Sequence, residues 1–210
     1  MLKFRLFGYP VRVEWMFWVI CALLGLSGGS NGPEQIYILL LWTVAVFVSI
    51  LWHELGHAWA RKKCRQPYSE IVLHGMGGYC AGPGNFTRKE QMFISAAGPA
   101  ASLLLGGAVY LLMFTPGMSN RWAGTFVSIM LFTNIGWALF NLLPILPMDG
   151  GRIFEAFMAN RKPSIVPKVG FVIATILAVM GMLSGNLWIA FLMGFMAYGN
   201  WQRMQQGNFR

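Results

Sequence analysis

Ser49-Ile50-Leu51-Trp52-His53-Glu54-Leu55-Gly56-His57-Ala58-Trp59 closes an apolar block that opens at Ile36. A block of that length can cross a bilayer as one helix, which needs about 20 mostly apolar residues. Three ionisable side chains within five positions are costly there unless they face partners or a wet cavity. Here the partners are visible. Histidines at i and i+4 lie on one helix face, where two imidazoles can hold one zinc ion. The glutamate beside the first histidine can reach a water on that zinc and act as general base. The competing reading is a pair of interfacial histidines with a snorkelling glutamate. A spanning helix tolerates that arrangement far less readily than a soluble one.

The rest of the chain has the same character. Of its 210 residues, 56% are hydrophobic and 11% charged, against about 25% charged in an average soluble domain. So few charges cannot cover a globule of this size, which excludes an ordinary cytosolic enzyme. Disorder needs low hydrophobicity and is excluded too. The formal charge of +9 does not indicate nucleic acid, because the basic residues sit between apolar blocks and not on one polar face. Cys21, Cys64 and Cys80 have no C-x-x-C spacing, so neither a disulfide framework nor a thiolate zinc site is indicated. Cys21 lies in an apolar stretch and reads as a packing residue.

Apolar blocks recur at Trp15–Leu26, Ile36–Trp59, Met92–Phe114, Ala123–Leu143, Ile165–Leu183 and Leu187–Tyr198. The first and last reach spanning length only with their flanks. Strand-like alternation precedes the first block, and no small-x-small cleavage site follows it, so it does not read as a cleavable signal peptide. Gly25 to Gly32 reads as a loop, and no internal repeat or low-complexity linker is evident. The expected architecture is an all-α polytopic membrane protein of about six transmembrane helices, one domain over residues 1–210, with a small β-hairpin or sheet at the cytoplasmic face. With the N-terminus in the cytoplasm, fifteen of the sixteen Lys and Arg residues fall inside and Arg121 alone falls outside. Shifting the span count by one destroys that asymmetry. Both termini are therefore expected in the cytoplasm.

Catalytic zinc takes three protein ligands and leaves one position for water. The candidates for the third are Asp149 and His74. Asp149 lies in Asn141-Leu142-Leu143-Pro144-Ile145-Leu146-Pro147-Met148-Asp149-Gly150-Gly151-Arg152. Two prolines and two glycines break the helix there. Irregular backbone at membrane depth is tolerated where it lines protein or a water-filled cavity. His53 and His57 precede Arg61 by four to eight residues, or roughly 6–12 Å of helix. The fourth span runs in the same direction as the second, so Asp149 reaches the same depth on the same side.

These residues resemble the site-2 protease family of intramembrane zinc metalloproteases. The resemblance is carried by the H-E-x-x-H of His53–His57 in a membrane helix and by Asn141–Arg152, similar to N-x-x-P-x-x-P-x-D-G-G-R. Three weaker elements accompany them. Phe7–Val13 resembles the family's amino-terminal strand, and Leu73–Gly78 its glycine-containing re-entrant hairpin. Ala97–Ser102 resembles A-G-P-x-x-N, with Ser102 in place of asparagine, a departure that concerns packing more than chemistry. The resemblance runs from about residue 7 to 155, and the last two spans add length and topology only. It implies His53, His57 and Asp149 as ligands of one Zn2+ per chain, and Glu54 as the catalytic base. It also implies a transmembrane segment of another membrane protein as substrate. Members with an inserted PDZ or appended CBS domain are larger, so this chain reads as a minimal core.

Other residues carry further expectations. Asn141 is a candidate hydrogen-bond donor to the oxyanion, or caps backbone left unpaired by Pro144. Residues 68–80 read as a hairpin. With the alternation over Val11–Trp15 it can form a small sheet whose edge pairs with an unwound substrate. A proline in that strand that left cleavage intact would rule the pairing out. His74 is expected to hydrogen-bond within the hairpin. The small residues of Ser95–Ser102 suit close helix packing, and Gly150–Lys162 a short interfacial helix.

Two other classes stand against an intramembrane zinc endopeptidase. A polytopic transporter with a zinc site would show repeated halves and ionisable residues on several spans. A catalytically silent membrane-binding scaffold would not need Glu54. The lipid bilayer is an expected partner and nucleic acid is not. The expected location is a prokaryotic plasma membrane.

Overall fold

A computed structural model of the chain describes residues 1–26, 32–66, 68–115 and 120–207. Its elements run β1 (Leu2–Leu6), β2 (Tyr9–Val13), α1 (Trp15–Leu26), α2 (Gln35–Lys63), β3 (Glu70–His74) and β4 (Gly77–Ala81). There follow α3 (Arg88–Leu112), α4 (Arg121–Asn141), α5 (Asp149–Met158), α6 (Ile165–Leu183) and α7 (Leu187–Gly207). They group into two compact units. The first holds Met1–Asn85 with Ala97–Leu139, and the second Phe86–Ala96 with Phe140–Arg210.

The first unit contains a four-stranded sheet in the order β1-β2-β3-β4. β1 and β2 form an antiparallel hairpin, turned at Phe7 and Gly8, both with positive φ. Such two-residue turns match the twist of the strands they join. β2 and β3 pair in parallel, as strands separated by helical crossovers do, and Glu14 N donates to Leu73 O at 2.9 Å beyond them. β3 and β4 form the second antiparallel hairpin. The hairpin expected near residues 68–80 is therefore present, and the N-terminal alternation resolves into two strands. The chain is mostly helical with this sheet, not all-α in the strict sense.

Period-2 alternation explains how the sheet is anchored. Val11 and Val13 of β2 and Ile71 and Leu73 of β3 are buried against Phe17 and Cys21 of α1 and Ile50 and Leu55 of α2. The sheet thus packs onto the part of α2 that carries the H-E-x-x-H. Cys21 packs as expected.

Helices α2 and α4 run parallel within this unit. Glu34, preceding α2, pairs with Arg121 at the start of α4, and the rings of Tyr37 and Trp122 lie 5.4 Å apart. Further along, Asn134 Nδ2 donates to Ser49 Oγ at 2.8 Å. The C-terminal ends of α2 and α4 therefore lie at the same end, as expected of the second and fourth spans.

In the second unit, α6 and α7 form a helical hairpin. Ile145 and Met148, from the loop after α4, are buried with Ala174, Leu192, Met193 and Ala197. The short helix expected after Gly150 is α5.

Among the described residues, α2, α3, α4 and α6 are long and apolar enough to cross a membrane. The other two expected spans fall short for different reasons. α1 has 12 residues, or about 18 Å at 1.5 Å per residue. α7 has 21 residues, but Asn200, Gln202, Arg203, Gln205 and Gln206 make its final turns polar. The loop expected over Gly25–Gly32 lies mostly outside the described residues, and Gly25 and Leu26 still belong to α1.

Candidate metal centre

The helical register of α2 stacks Ser49, His53, His57 and Arg61 on one face, and all four are buried. His53 Nε2 and His57 Nε2 point at each other across 3.1 Å. Two nitrogens bound to one tetrahedral zinc at about 2.0–2.1 Å lie roughly 3.3–3.4 Å apart. The pair therefore fits a shared ion with almost no adjustment. His53 Nδ1 lies 3.1 Å from Ser102 Oγ. A proton on Nδ1 donated to that hydroxyl leaves the Nε2 lone pair for a metal, the usual support of a ligating histidine. Ser102 is completely buried, and this contact corrects its reading as a packing departure.

Helix α3 is shaped to admit the two imidazoles. A Cβ on Gly98 would overlap His57 Nε2 and come within 2.8 Å of His53 Nε2. One turn along α2, a Cβ on Gly56 would lie 2.5 Å from Ala97 O and 2.8 Å from Ala101 Cβ. The small residues at Ala97–Ser102 thus let α3 approach α2 closely, as expected, and also leave the space in front of the histidines open.

β4 passes directly beside Glu54. A Cβ on Gly78 would stand 2.7 Å from Glu54 Cγ and 2.8 Å from Oε1. Next in that strand but one, Cys80 has its thiol pushed up to about 12, chiefly by burial, with the charge of Glu54 adding and the charge of Arg61 and a hydrogen bond with Ser69 opposing.

Arg61 fixes the hairpin to α2. Its Nε donates to Ser69 Oγ at 3.1 Å, and its Nη2 to Gly82 O at 2.7 Å and Pro83 O at 3.2 Å. One guanidinium therefore holds the entry and the exit of the hairpin one helical turn beyond His57. In the sequence Arg61 reads only as one of the cytoplasmic charges. Arg61→Met keeps the side-chain volume and removes these donors. It is expected to cost about 2–3 kcal/mol of hairpin stability, read as faster hydrogen exchange at β3 and β4 amides with α2 unchanged.

Asp149 is the first residue of α5. It belongs to the second unit, whereas His53 and His57 belong to the first. His74, the alternative third ligand, has its partners within the hairpin. Its Nδ1 accepts from Met76 N at 3.3 Å and its ring lies 5.4 Å from that of Tyr79, the hairpin role expected of it. Burial pushes the His74 imidazole down, with the Glu14 carboxylate opposing. Asn141 is the last residue of α4 and is half-buried.

Two peptidase family models match this chain: Peptidase M50B-like over residues 35–146 and Peptidase family M50 over residues 117–185. The first covers more than half of the chain and takes in the H-E-x-x-H, and the second takes in Asp149. The chain belongs to the M50 peptidase family. A zinc metalloprotease of Methanocaldococcus jannaschii is 28% identical over 203 residues, 93% of this chain and 58% of the relative. Rip3 of Mycobacterium tuberculosis is 32% identical over 213 residues, 90% of this chain and 54% of its own. This M50 chain thus spans somewhat more than half the length of these curated relatives. The solved structure of a site-2 protease from Methanocaldococcus jannaschii superposes with a TM-score of 0.66 at 27% identity, over 97% of this chain and 94% of that one.

Proposed function

We propose that this M50 chain is a zinc-dependent intramembrane endopeptidase that hydrolyses a peptide bond in or near the transmembrane segment of another membrane protein. The carrying observation is the pair of buried Nε2 atoms, 3.1 Å apart, in a helix apolar enough to cross a membrane. His53, His57 and Asp149 would hold one zinc ion, which would supply polarisation of the scissile carbonyl and acidification of a water. Glu54 takes the proton from the attacking water and returns it to the leaving amine. Asn141 donates to the oxygen on which charge develops.

A helical substrate must unwind before its peptide bonds are accessible. Strand β4 supports a way to hold the unwound segment, since an outer strand of the sheet lies against Glu54 and carries no side chain at Gly78. Residues 1–210 work as one intramembrane metalloprotease domain. α1 and α7, with their flanks, complete six spans, and both termini lie in the cytoplasm of a prokaryote. The placement of fifteen of sixteen basic residues supports this topology.

The test is zinc content in detergent-purified protein, wild type beside Asp149→Ala. About one zinc per chain is expected in the wild type and little in the variant, because a two-histidine site lacks the third ligand of a catalytic centre. Full zinc in the variant would remove Asp149 from the ligand set, and zinc-free wild-type protein would end the protease reading.

A further inference from the structure

The loop that delivers Asp149 is held from the far end of the chain. Asn200 of α7 is completely buried. Its Nδ2 donates to Leu146 O and to Met196 O, each at 2.8 Å. The second bond lies within α7, whereas the first reaches 54 residues back. Leu146 precedes Pro147, which has no N–H, and Asp149 opens α5 three residues later. Around it the loop bonds to itself, Ile145 N to Leu143 O and Met148 N to Ile145 O, each at 2.8 Å. Leu146 O takes its donor from α7.

The loop and the first turn of α5 are in tight backbone contact. A Cβ on Gly151 would come within 2.5 Å of Ile145 O and 2.7 Å of Leu146 N, and one on Gly150 would overlap Leu142 O. The backbone at Ile145–Leu146 therefore cannot shift without moving the turn that carries Asp149. α6 makes room for the asparagine. A Cβ on Gly170 would lie 2.5 Å from Asn200 Oδ1 and 2.9 Å from its Cγ.

Stability alone does not account for this amide. Asn200 Oδ1 is buried without a hydrogen-bond partner among the described residues, and an unsatisfied buried acceptor costs about 1–3 kcal/mol. A leucine of similar size would avoid that cost between two apolar helices. What only the amide supplies is the donor to Leu146 O.

We propose that Asn200, seated against Gly170, is a positioning residue for the metal centre: α6 and α7 set the place of Asp149 through the carbonyl of Leu146. The inference rests on the zinc-centre reading above. It assigns a role to a helix pair whose sequence offers only length and topology.

The test is zinc affinity of the full chain in detergent, by competition with a chromophoric chelator. Asn200→Leu removes the donor. Gly170→Ala leaves every polar group in place and pushes the amide off Leu146 O, so it decides alone if Asn200→Leu does not fold. Each is expected to weaken zinc binding about 10–100-fold, as loss of a ligand's support does. The double variant should lose no more than the weaker-binding single, because both changes break one contact. Gly181→Ala is the packing control: its Cβ would lie 2.7 Å from Ala190 N, at the other end of the same helix pair, and zinc affinity should stay at the parent value. Parent-like affinity in Asn200→Leu and Gly170→Ala, or an equal loss in Gly181→Ala, overturns the inference and leaves the zinc centre standing. A parent chain that binds no zinc overturns the zinc-centre reading, and this inference with it.

Discussion

Glu54→Gln is expected to lower peptide cleavage by about 10³-fold or more while zinc content stays near one per chain. General acid–base assistance contributes roughly 10²–10⁴-fold, and in the proposed reaction one carboxylate serves both proton transfers. Glutamine has almost the same volume, so it fills the buried space between α2 and Gly78 of β4 without disturbing His53 or His57. It cannot take a proton from water. Detergent-solubilised casein is a suitable first substrate, because an unfolded chain needs no helix unwinding before attack. Cleavage within ten-fold of wild type would remove Glu54 from the proton path. Loss of zinc together with activity would assign it to metal binding instead.

Gly98→Val is expected to abolish both zinc binding and cleavage, with an affinity loss of at least about a hundred-fold. The warrant is steric. A Cβ at residue 98 occupies the space in front of the two Nε2 atoms, overlapping that of His57. α3 cannot retreat cheaply, since Ala97 O is already packed against Gly56 one residue earlier, and interiors this dense transmit strain instead of absorbing it. Valine is compatible with a spanning helix, so the protein should still insert and fold. Gly107→Val provides the control on the same helix, because a Cβ there meets nothing within 4 Å. It should bind zinc and cleave like the parent. Full zinc in Gly98→Val would mean that the histidines hold no ion on that face.

The predicted site residues differ in how they could be read. His53, Glu54 and His57 are legible because their geometry is local. Four residues of α-helix bring two side chains to one face whatever surrounds them, and an apolar block makes their charge conspicuous. Asp149 is legible for a second reason. Pro144, Pro147, Gly150 and Gly151 announce a broken helix end, and alternating spans dictate on which side it emerges. The hairpin at 70–81 shows in its strand-forming residues around glycines, although the pairing of β2 with β3 in parallel does not.

Other residues show no partner in the sequence. Ser102 is 49 positions from the His53 imidazole it touches, and Asn200 is 54 from the carbonyl it holds. Arg61 reads as one of many basic residues at a membrane surface, and Gly78 and Gly98 belong to motif-like stretches that do not reveal which side chains they face. Each acquires its role from a neighbour on another element.

The amino-acid sequence by itself determined the membrane class, the parallel course of the second and fourth spans, and the candidate zinc chemistry of the two histidines and the glutamate. These follow from hydropathy, charge placement and helical periodicity, which are properties of a chain and its solvent. Only the tertiary structure decided what supports that chemistry: the serine behind His53, the glycine in front of both histidines, the arginine on the hairpin and the asparagine on the Asp149 loop. Contacts between distant elements depend on how backbones approach each other in space, and a local pattern such as the small residues of Ser95–Ser102 signals a close approach without naming the atoms that meet.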